Sequence, residues 1–196
     1  GDFMKRSISL LMTVLIVVST FFTAPFSVFA NEVDVERTSV ISGKYEYVVM
    51  PNGTAEIVGY TGIPSYITIP TTLDGYLITS IGNQAFYDQT YLSSITIPNA
   101  VTNIGDKAFY KCSSLTKITI PSKVSKIGEY AFQNCKRLKN LSIKTTKLTS
   151  KKTGKSAFKG VGSSYYKKVK VTVPAKKLKS YKILFKKAGL SPKVKV

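Results

Sequence analysis

Hydrophobic positions recur in the central part of this chain at a fixed interval of 23 residues. Each unit opens with Ile-Gly, reaches Ala-Phe after two further residues, and later places Leu ahead of an apolar-polar-apolar segment. Three such units cover residues 81–143, and they begin at Ile81, Ile104 and Ile127. A repeat of this length predicts a solenoid, because one unit cannot bury its apolar face until the next unit stacks on it.

Each unit predicts a short strand at its Ile-x-Ile segment. Alternation of apolar and polar residues with many β-branched side chains is typical of a strand that buries one face. Pro98 and Pro121 end two of these strands, because proline has no N–H to donate to a ladder. The first unit is enlarged by an insertion around residues 74–76. Five strands are predicted, and they begin at Ile67, Ile95, Ile118, Leu141 and Val171.

The segment opposite each strand predicts a second extended piece followed by a turn. Residues 101–104 form one such piece, and Gly105 is expected to adopt a backbone conformation that most residues resist, as is Gly128. Residues 106–110 then predict a brief helical turn. Because a helix is thicker than a strand, the strand side should be concave. The Ala-Phe pairs place Phe86, Phe109 and Phe132 in one buried ladder.

Capping elements are predicted at both ends of the repeats. Residues 44–62 contain two β-prone runs across Pro51-Asn52-Gly53, which predicts a hairpin cap after a flexible lead-in at residues 31–43. Residues 175–196 predict a basic capping helix and tail, with apolar residues at steps of three and four. An alternative for this amphipathic helix is insertion at a membrane surface.

The motifs resemble those of the BspA-like bacterial leucine-rich repeats. The resemblance lies in I-G-x-x-A-F at 81–86, 104–109 and 127–132, F-x-x-C-x-x-L at 109–115 and 132–138, and L-x-x-I-x-I-P at 92–98 and 115–121. The chain departs from the pattern at Gln89 and in its expanded fourth coil. The predicted fold is an α/β solenoid of leucine-rich-repeat coils with short parallel strands over residues 63–174. The resemblance implies a secreted or surface bacterial protein linked to adhesion.

The first 30 residues read as a secretory signal peptide. Met4 is the expected start, Lys5-Arg6 supplies the basic region, and residues 10–22 are apolar and uncharged. This run is shorter than the roughly 20 residues that span a bilayer, so cleavage after Ala30 is favoured over a retained anchor. We therefore expect a secreted or cell-surface protein that meets the membrane only through this leader.

The positive charge is concentrated in the last third of the chain. Residues 31–135 carry 7 Lys/Arg against 9 Asp/Glu, whereas residues 136–196 carry 20 Lys/Arg and no acid. This asymmetry favours an anionic partner such as a cell-wall polymer, although a charged soluble surface is an equal alternative. No specific nucleic acid is expected, since lysine is a point charge rather than a fork that reads bases. Candidate polyanion contacts are Lys151, Lys152, Lys155, Lys167, Lys168, Lys176 and Lys177.

Few side chains suggest chemistry. The chain has no histidine, so neither a metal site nor a cofactor is expected. Cys112 and Cys135 occupy equivalent positions, where buried free thiols are favoured over a disulfide because stacked side chains point in parallel. Asp106 and Glu129 could act as a carboxylate pair on a glycoside, but a role at the start of a helical turn is favoured.

The sequence therefore predicts a monomeric, non-enzymatic module that binds an extracellular protein or glycan on its concave strand face. Electrostatic anchoring to a polyanion is the second hypothesis, and a hydrolase with an unrecognised site is the third. Candidate ligand contacts are the residues between inward apolar positions, together with nearby lysines: Thr68, Thr96, Thr119, Ser142, Thr172, Lys117 and Lys170.

Overall fold

The computed structural model describes residues 38–196, apart from the side chain of Lys167. The predicted signal peptide with its cleavage after Ala30, and the lead-in up to residue 37, lie outside the described residues. In chain order the elements are β1 Val40–Ser42, β2 Tyr45–Val49, β3 Ala55–Tyr60, β4 Tyr66–Thr68, β5 Thr72–Leu73, β6 Tyr76–Ile81, β7 Ser94–Thr96, β8 Asn103–Ile104, β9 Lys117–Ile120, β10 Lys126–Ile127, β11 Asn140–Ile143, β12 Lys170–Thr172 and α1 Leu178–Lys187.

The five predicted Ile-x-Ile strands form one parallel sheet in the order β12-β11-β9-β7-β4. Equivalent residues of neighbouring units pair, so that Leu141 lies opposite both Ile118 and Val171. The apolar positions of all five strands are buried, as the alternation predicts. The repeat therefore aligns identical positions into ladders perpendicular to the strands.

A second sheet follows the extended pieces on the other side of each unit. Its order is β1-β2-β3-β6-β8-β10, with β5 paired to β6. From β3 onward the neighbours along this order are parallel, and Ile81, Ile104 and Ile127 are buried in one ladder. An isolated bridge from Ile127 to Thr153 continues that ladder into the next unit.

The predicted helical turn at residues 106–110 is wrong. Lys107 and Lys111 have φ values of 54° and 59°, which a right-handed helix does not contain. Lys107, Phe109 and Lys111 instead donate their N–H groups to carbonyls of the next unit, with 2.8 Å from Phe109 to Ala131. Since the neighbouring unit supplies these acceptors, the segment forms a ladder between units rather than a helix.

The phenylalanine ladder is present and longer than predicted. The ring centroids of Phe86 and Phe109 are 5.4 Å apart, and those of Phe109 and Phe132 are 5.2 Å apart, with nearly parallel planes. Phe158 continues the stack at 5.6 Å from Phe132. These distances are close to the roughly 4.8 Å between paired strands, so no helix forces the turn side to splay. A helical turn was the predicted cause of a concave strand side, and this cause is absent.

Gly105 and Gly128 serve close packing and not an unusual backbone conformation. Neither has a φ in the left-handed region. A Cβ on Gly105 would lie 2.6 Å from the backbone nitrogen of Asn83, and one on Gly128 would lie 2.4 Å from that of Asp106. The backbone of the preceding unit occupies the place of a side chain, and this explains why glycine recurs there.

The prediction of a flexible lead-in is wrong for Val40–Ser42. These residues form β1, which pairs antiparallel with β2 across a loop at Gly43-Lys44. Gly43 has a φ of 59°, as the tight turns of two-residue hairpins require. The β-branched Val40-Ile41 before a glycine is the pattern that could have indicated this strand. The insertion around residues 74–76 is likewise a tight hairpin between β5 and β6.

Aromatic rings close both ends of the phenylalanine stack. At one end Tyr60 of β3, which pairs antiparallel with β2, lies 5.7 Å from Phe86. At the other end Phe185 of α1 meets Phe158 edge-on at 5.1 Å.

The helix α1 packs on the last unit through Tyr181, Leu184 and Phe185, which are buried. The Tyr181 hydroxyl donates to the Thr145 carbonyl at 3.0 Å. Leu178, expected on the apolar face, is 40% exposed. In residues 38–196, no helix has the length and apolar character needed to cross a membrane.

Candidate functional site

One outward row of hydroxyl groups crosses the five-stranded sheet. Strand registers place Thr68 opposite Thr96, and Ser142 opposite Thr119 and Thr172. The four threonines are exposed, and Ser142 is half-buried. The alternation along each strand explains this placement, because the neighbouring apolar residues point into the core. All five predicted contact residues therefore share one face.

A second outward row runs parallel to the first, two residues earlier in each strand. It contains Tyr66, Ser94, Lys117, Asn140 and Lys170, and a bridge adds Lys195 beside Lys170. The sequence prediction included the two strand lysines but omitted the aromatic and the amide. Tyr66 is 76% exposed at the edge of the sheet. The period of 23 residues could have identified Ser94 and Asn140, which lie one unit before and one unit after Lys117.

A groove of about 520 Å³ lies on the middle of this face, although the predicted cause of concavity is wrong. Residues from both rows of the three central strands line it: Ser94, Thr96, Lys117, Thr119, Asn140 and Ser142. Thr68, Thr172 and Lys170 belong to the outer strands and do not line the groove. The structure thus brings four of the seven predicted contacts, Thr96, Lys117, Thr119 and Ser142, into one depression.

The predicted polyanion contacts separate into two groups. Lys151, Lys152 and Lys155 surround Thr153, which pairs with the other sheet. Lys168 ends a 3₁₀ turn at Tyr166–Lys168, two residues before β12, while Lys176 and Lys177 lie in a 3₁₀ turn before α1. All of these are exposed except Lys177, which is half-buried, and the side chain of Lys167 is not described.

Two adjacent tyrosines ahead of β12 form a cluster that the sequence prediction missed. The Lys139 Nζ lies 4.5 Å from the centroid of the Tyr165 ring, and the Lys193 Nζ lies 5.8 Å from that of Tyr166. Both tyrosines are half-exposed. The tyrosine pair followed directly by two lysines was the only indication in the sequence. Neither Lys139 nor Lys193 is near these rings along the chain.

Asn83 and Asp106 accept backbone hydrogen bonds from the following unit. The Asn83 Oδ1 accepts from the Asp106 N–H at 2.8 Å, and the Asp106 Oδ1 accepts from the Glu129 N–H at 2.7 Å. The expected role at a helix end is therefore corrected, since no helix is present and the bonds join separate units. This geometry gives the Asp106 side chain a structural partner and supplies no support for a catalytic carboxylate pair.

Cys112 and Cys135 are free and buried, as the sequence prediction favoured. Their thiols donate to the carbonyls of Phe86 at 3.1 Å and Phe109 at 3.2 Å. Burial raises the pKa of Cys112 to about 12 and raises that of Cys135 well above its ordinary value. Within residues 38–196, no group of three His, Cys, Asp or Glu side chains is placed to hold a metal ion.

We expect the protein to lose stability in alkaline solution because of these two thiols. The unfolded chain ionises its cysteines near pH 9, whereas folded Cys112 retains its proton up to about pH 12. For Cys112 the stabilising effect is complete below pH 9 and decreases as the pH rises from about 9 to 12, by about 1.4 kcal/mol per pH unit. The raised pKa of Cys135 adds a loss of stability in the same direction. Urea unfolding at pH 8 to 10 measures this slope.

The Cys112→Ala/Cys135→Ala variant is the control, and it should show a flatter dependence over the same range. Iodoacetamide at pH 8 should leave both thiols unmodified in the native protein and modify both after unfolding without reductant. Rapid modification of the native protein would contradict the burial, and failure to modify the unfolded protein would indicate a disulfide.

Comparisons with known proteins place this geometry among repeat proteins. The sequence profile described as BspA type leucine-rich repeat region matches residues 63–187 in six copies, which is more than half of the chain. No curated protein sequence matches the chain.

Solved structures of leucine-rich repeat proteins are similar to this chain to different degrees. A leucine-rich repeat protein from Bacteroides capillosus ATCC 29799 has 30% identity and a TM-score of 0.51 over 57% of this chain and 87% of its own. One from Eubacterium ventriosum ATCC 27560 has 32% identity and a TM-score of 0.44, over 57% of this chain and 28% of its own. A leucine-rich cell surface protein from Faecalibacterium prausnitzii A2-165 has 22% identity and a TM-score of 0.36, over 63% and 52%.

Proposed function

This chain belongs to the BspA-type leucine-rich repeat family, and we propose that it is a secreted or cell-surface binding module of the adhesion type. It holds an extracellular protein or glycan and carries out no catalysis. The basic, apolar and small-residue pattern of the first 30 residues supports export.

The single observation that carries this function is the groove on the five-stranded sheet, which is lined by both polar and apolar side chains. Hydroxyl, amide and amino groups from three neighbouring strands line about 520 Å³, a volume within the range of ligand clefts. These groups are held on a hydrogen-bonded ladder, so their spacing is fixed before a ligand arrives. A rigid array loses little conformational entropy on binding, and this favours recognition of an extended ligand.

In the proposed function the repeats form one solenoid whose two ends are capped. The edge-on ring of Phe185 and the tilted ring of Tyr60 interrupt the parallel stacking of phenylalanines at its two ends. A further copy stacked in the same manner would lack a parallel ring to continue from. The capped solenoid is accordingly expected to be a monomer with its sheet face available.

Binding at the groove is tested with a double variant that fills it. Thr96→Gln/Thr119→Gln adds length but no charge at two exposed positions, and Thr72→Gln/Thr102→Gln makes the same change at exposed threonines outside the groove. The purified chain is applied to an array of glycans and extracellular proteins at physiological salt. We expect the first variant to weaken binding of the selected ligand at least about tenfold, with the second unchanged. Equal affinity in both variants would place the contact elsewhere.

Charge-driven association with an anionic cell-wall polymer is the second candidate function. It is favoured by the 20 Lys/Arg residues and absence of acid in residues 136–196. Retention on such a polymer should decrease steadily with added salt, because screening weakens exposed charges. Groove binding through hydrogen bonds should persist under the same titration. A salt titration therefore distinguishes the two functions, because added salt weakens only the charge-driven association.

A further inference from the structure

The tyrosine pair ahead of β12 lies in a groove of about 390 Å³, separate from the groove on the strand face. Its lining combines three kinds of side chain, namely aromatic rings, hydroxyl groups and lysines: Ser163, Ser164, Tyr165, Tyr166, Lys168 and Lys193. We name this set the tyrosine groove.

The folded chain assembles the tyrosine groove from segments distant in sequence. Lys139, which lies outside the named set but contacts the Tyr165 ring, is the residue before β11. Lys193, which lines the groove, comes from the segment after α1. Two backbone contacts hold these segments together: the Lys170 N–H donates to the Lys139 carbonyl at 2.7 Å, and Lys170 pairs with Lys195. The backbone of the Lys139 segment and that of the Lys193 segment are therefore held beside β12.

The charged side chains that line the tyrosine groove or lie over its rings are all lysines. Lys139 and Lys193 lie over the faces of the two rings, and Lys168 lines the same groove. No acidic residue exists between Lys136 and the last residue of the chain. The cation–aromatic contacts keep the ammonium groups at the groove, so that less side-chain freedom is lost when an anion binds.

We propose that the tyrosine groove binds an acidic polysaccharide through a sugar unit that bears a carboxylate or sulfate. The apolar face of the sugar ring packs on Tyr165 or Tyr166, the hydroxyls of Ser163 and Ser164 hydrogen-bond its hydroxyl groups, and the lysines pair with its charge. This inference rests on the second candidate function, and it gives that function a defined site and a ligand class.

The outward row of the strand face supplies a continuation for such a polymer. Lys168 and Lys193 each precede by two residues the paired Lys170 and Lys195. From Lys170 the row continues through Asn140 to Lys117, which lies two strand spacings away, about 9.6 Å. Lys117 and Lys170 are thus separated along the row by a distance comparable to a disaccharide, which suits a chain with one charge on every second sugar.

Aromatic lining favours an acidic polysaccharide over an acidic polypeptide. A polypeptide anion would be satisfied by lysines alone, and the separate group Lys151, Lys152 and Lys155 would serve it equally well. A ligand with rings gains from two half-exposed tyrosines beside hydroxyl groups, whereas a polymer of acidic residues has no ring to stack on them. Substitutions at Lys168 and Lys193 can be compared with substitutions at Lys151 and Lys152, and this comparison distinguishes the two polymers.

The test measures binding of a fluorescent hyaluronan octasaccharide, which carries one carboxylate per disaccharide. Tyr165→Ala/Tyr166→Ala and Lys168→Ala/Lys193→Ala should each raise Kd at least about tenfold. The matched controls are Tyr87→Ala/Tyr110→Ala, which removes another pair of neighbouring tyrosines, and Lys151→Ala/Lys152→Ala, which removes the same charge elsewhere. Each control should change Kd less than about threefold. Neutral chitohexaose should not bind.

Tyr166 packs partly against the core, so a second variant keeps the test valid. Tyr165→Phe/Tyr166→Phe retains both rings and should retain most of the affinity, with a melting temperature close to that of the unaltered protein. Loss of binding in this variant with an unchanged melting temperature would overturn ring stacking.

The remaining outcomes separate this inference from the function on which it rests. Equal effects of the two lysine variants, with no effect of the tyrosine variants, would overturn the tyrosine groove while salt-sensitive association survives. Polyglutamate that binds as tightly as the octasaccharide and is unaffected by the tyrosine variants would also overturn it. If neither anionic polymer binds at low salt, both the inference and the electrostatic function fail.

Discussion

Replacing Phe109 with alanine is expected to lower the free energy of unfolding by about 3–5 kcal/mol, the usual cost of truncating a buried aromatic ring. Phe109 is fully buried and stacks between Phe86 and Phe132 at 5.4 and 5.2 Å. Its removal leaves a cavity in the middle of the stack, and both neighbouring rings lose contacts. The backbone ladders on either side limit collapse of the units into that cavity.

Tyr87→Ala supplies the matched comparison for Phe109→Ala. Tyr87 directly follows Phe86, stacks on Tyr110 at 5.1 Å and is 40% exposed, so its loss removes an aromatic pair without opening the core. Urea unfolding followed by circular dichroism should give a change of about 0.5–1.5 kcal/mol for Tyr87→Ala. Similar losses in the two variants would remove Phe109 from the core.

Gly128→Ala should cost at least about 3 kcal/mol, at or beyond the upper end of ordinary overpacking. The added Cβ would lie 2.4 Å from the Asp106 nitrogen and 2.5 Å from the Gly105 carbonyl carbon. Both are backbone atoms, and the Gly128 N–H is itself bonded to the Ile104 carbonyl at 2.8 Å. Relief therefore requires two units to separate, which breaks hydrogen bonds between them.

Gly53→Ala distinguishes this packing effect from a conformational one. Gly53 has a φ of 74°, and no atom lies within 4 Å of the position of an added Cβ. Alanine there should cost only about 1–2 kcal/mol, the penalty for a left-handed backbone. Denaturant midpoints of the two variants measure the difference. A smaller loss for Gly128→Ala than for Gly53→Ala would show that the units can move apart easily.

The regular strands were predictable because their information is local and repeated. Ile95 and Ile118 stand in the same apolar-polar-apolar context 23 residues apart, so one period determines both burial and register. The phenylalanine ladder follows from the same period. The turn was not predictable in this way. The residues around Phe109 could equally satisfy their N–H groups within a helix, and only the neighbouring unit offers the carbonyls that they use.

The candidate binding surfaces were likewise predictable only in part from the sequence. The outward position of Thr96 and Thr119 follows from alternation along each strand, so the sequence alone placed them on one face. The depression there is lined by three neighbouring strands and so exists only after their units have stacked. The tyrosine groove depends on Lys139 and Lys193 reaching rings that lie 26 and 27 positions away along the chain. The 23-residue period does not predict such contacts, because they form in the irregular C-terminal part of the repeats.

The sequence by itself therefore determined the repeat, the five strands, the buried ladders and the location of the positive charge, since each is a property of residue type and spacing. The tertiary structure alone decided how the turns bond between units, why Gly105 and Gly128 are glycine, and which lysines meet Tyr165 and Tyr166. The physical reason is distance along the chain. Burial and alternation act over a few residues, whereas these contacts form only after separate units have stacked in one register.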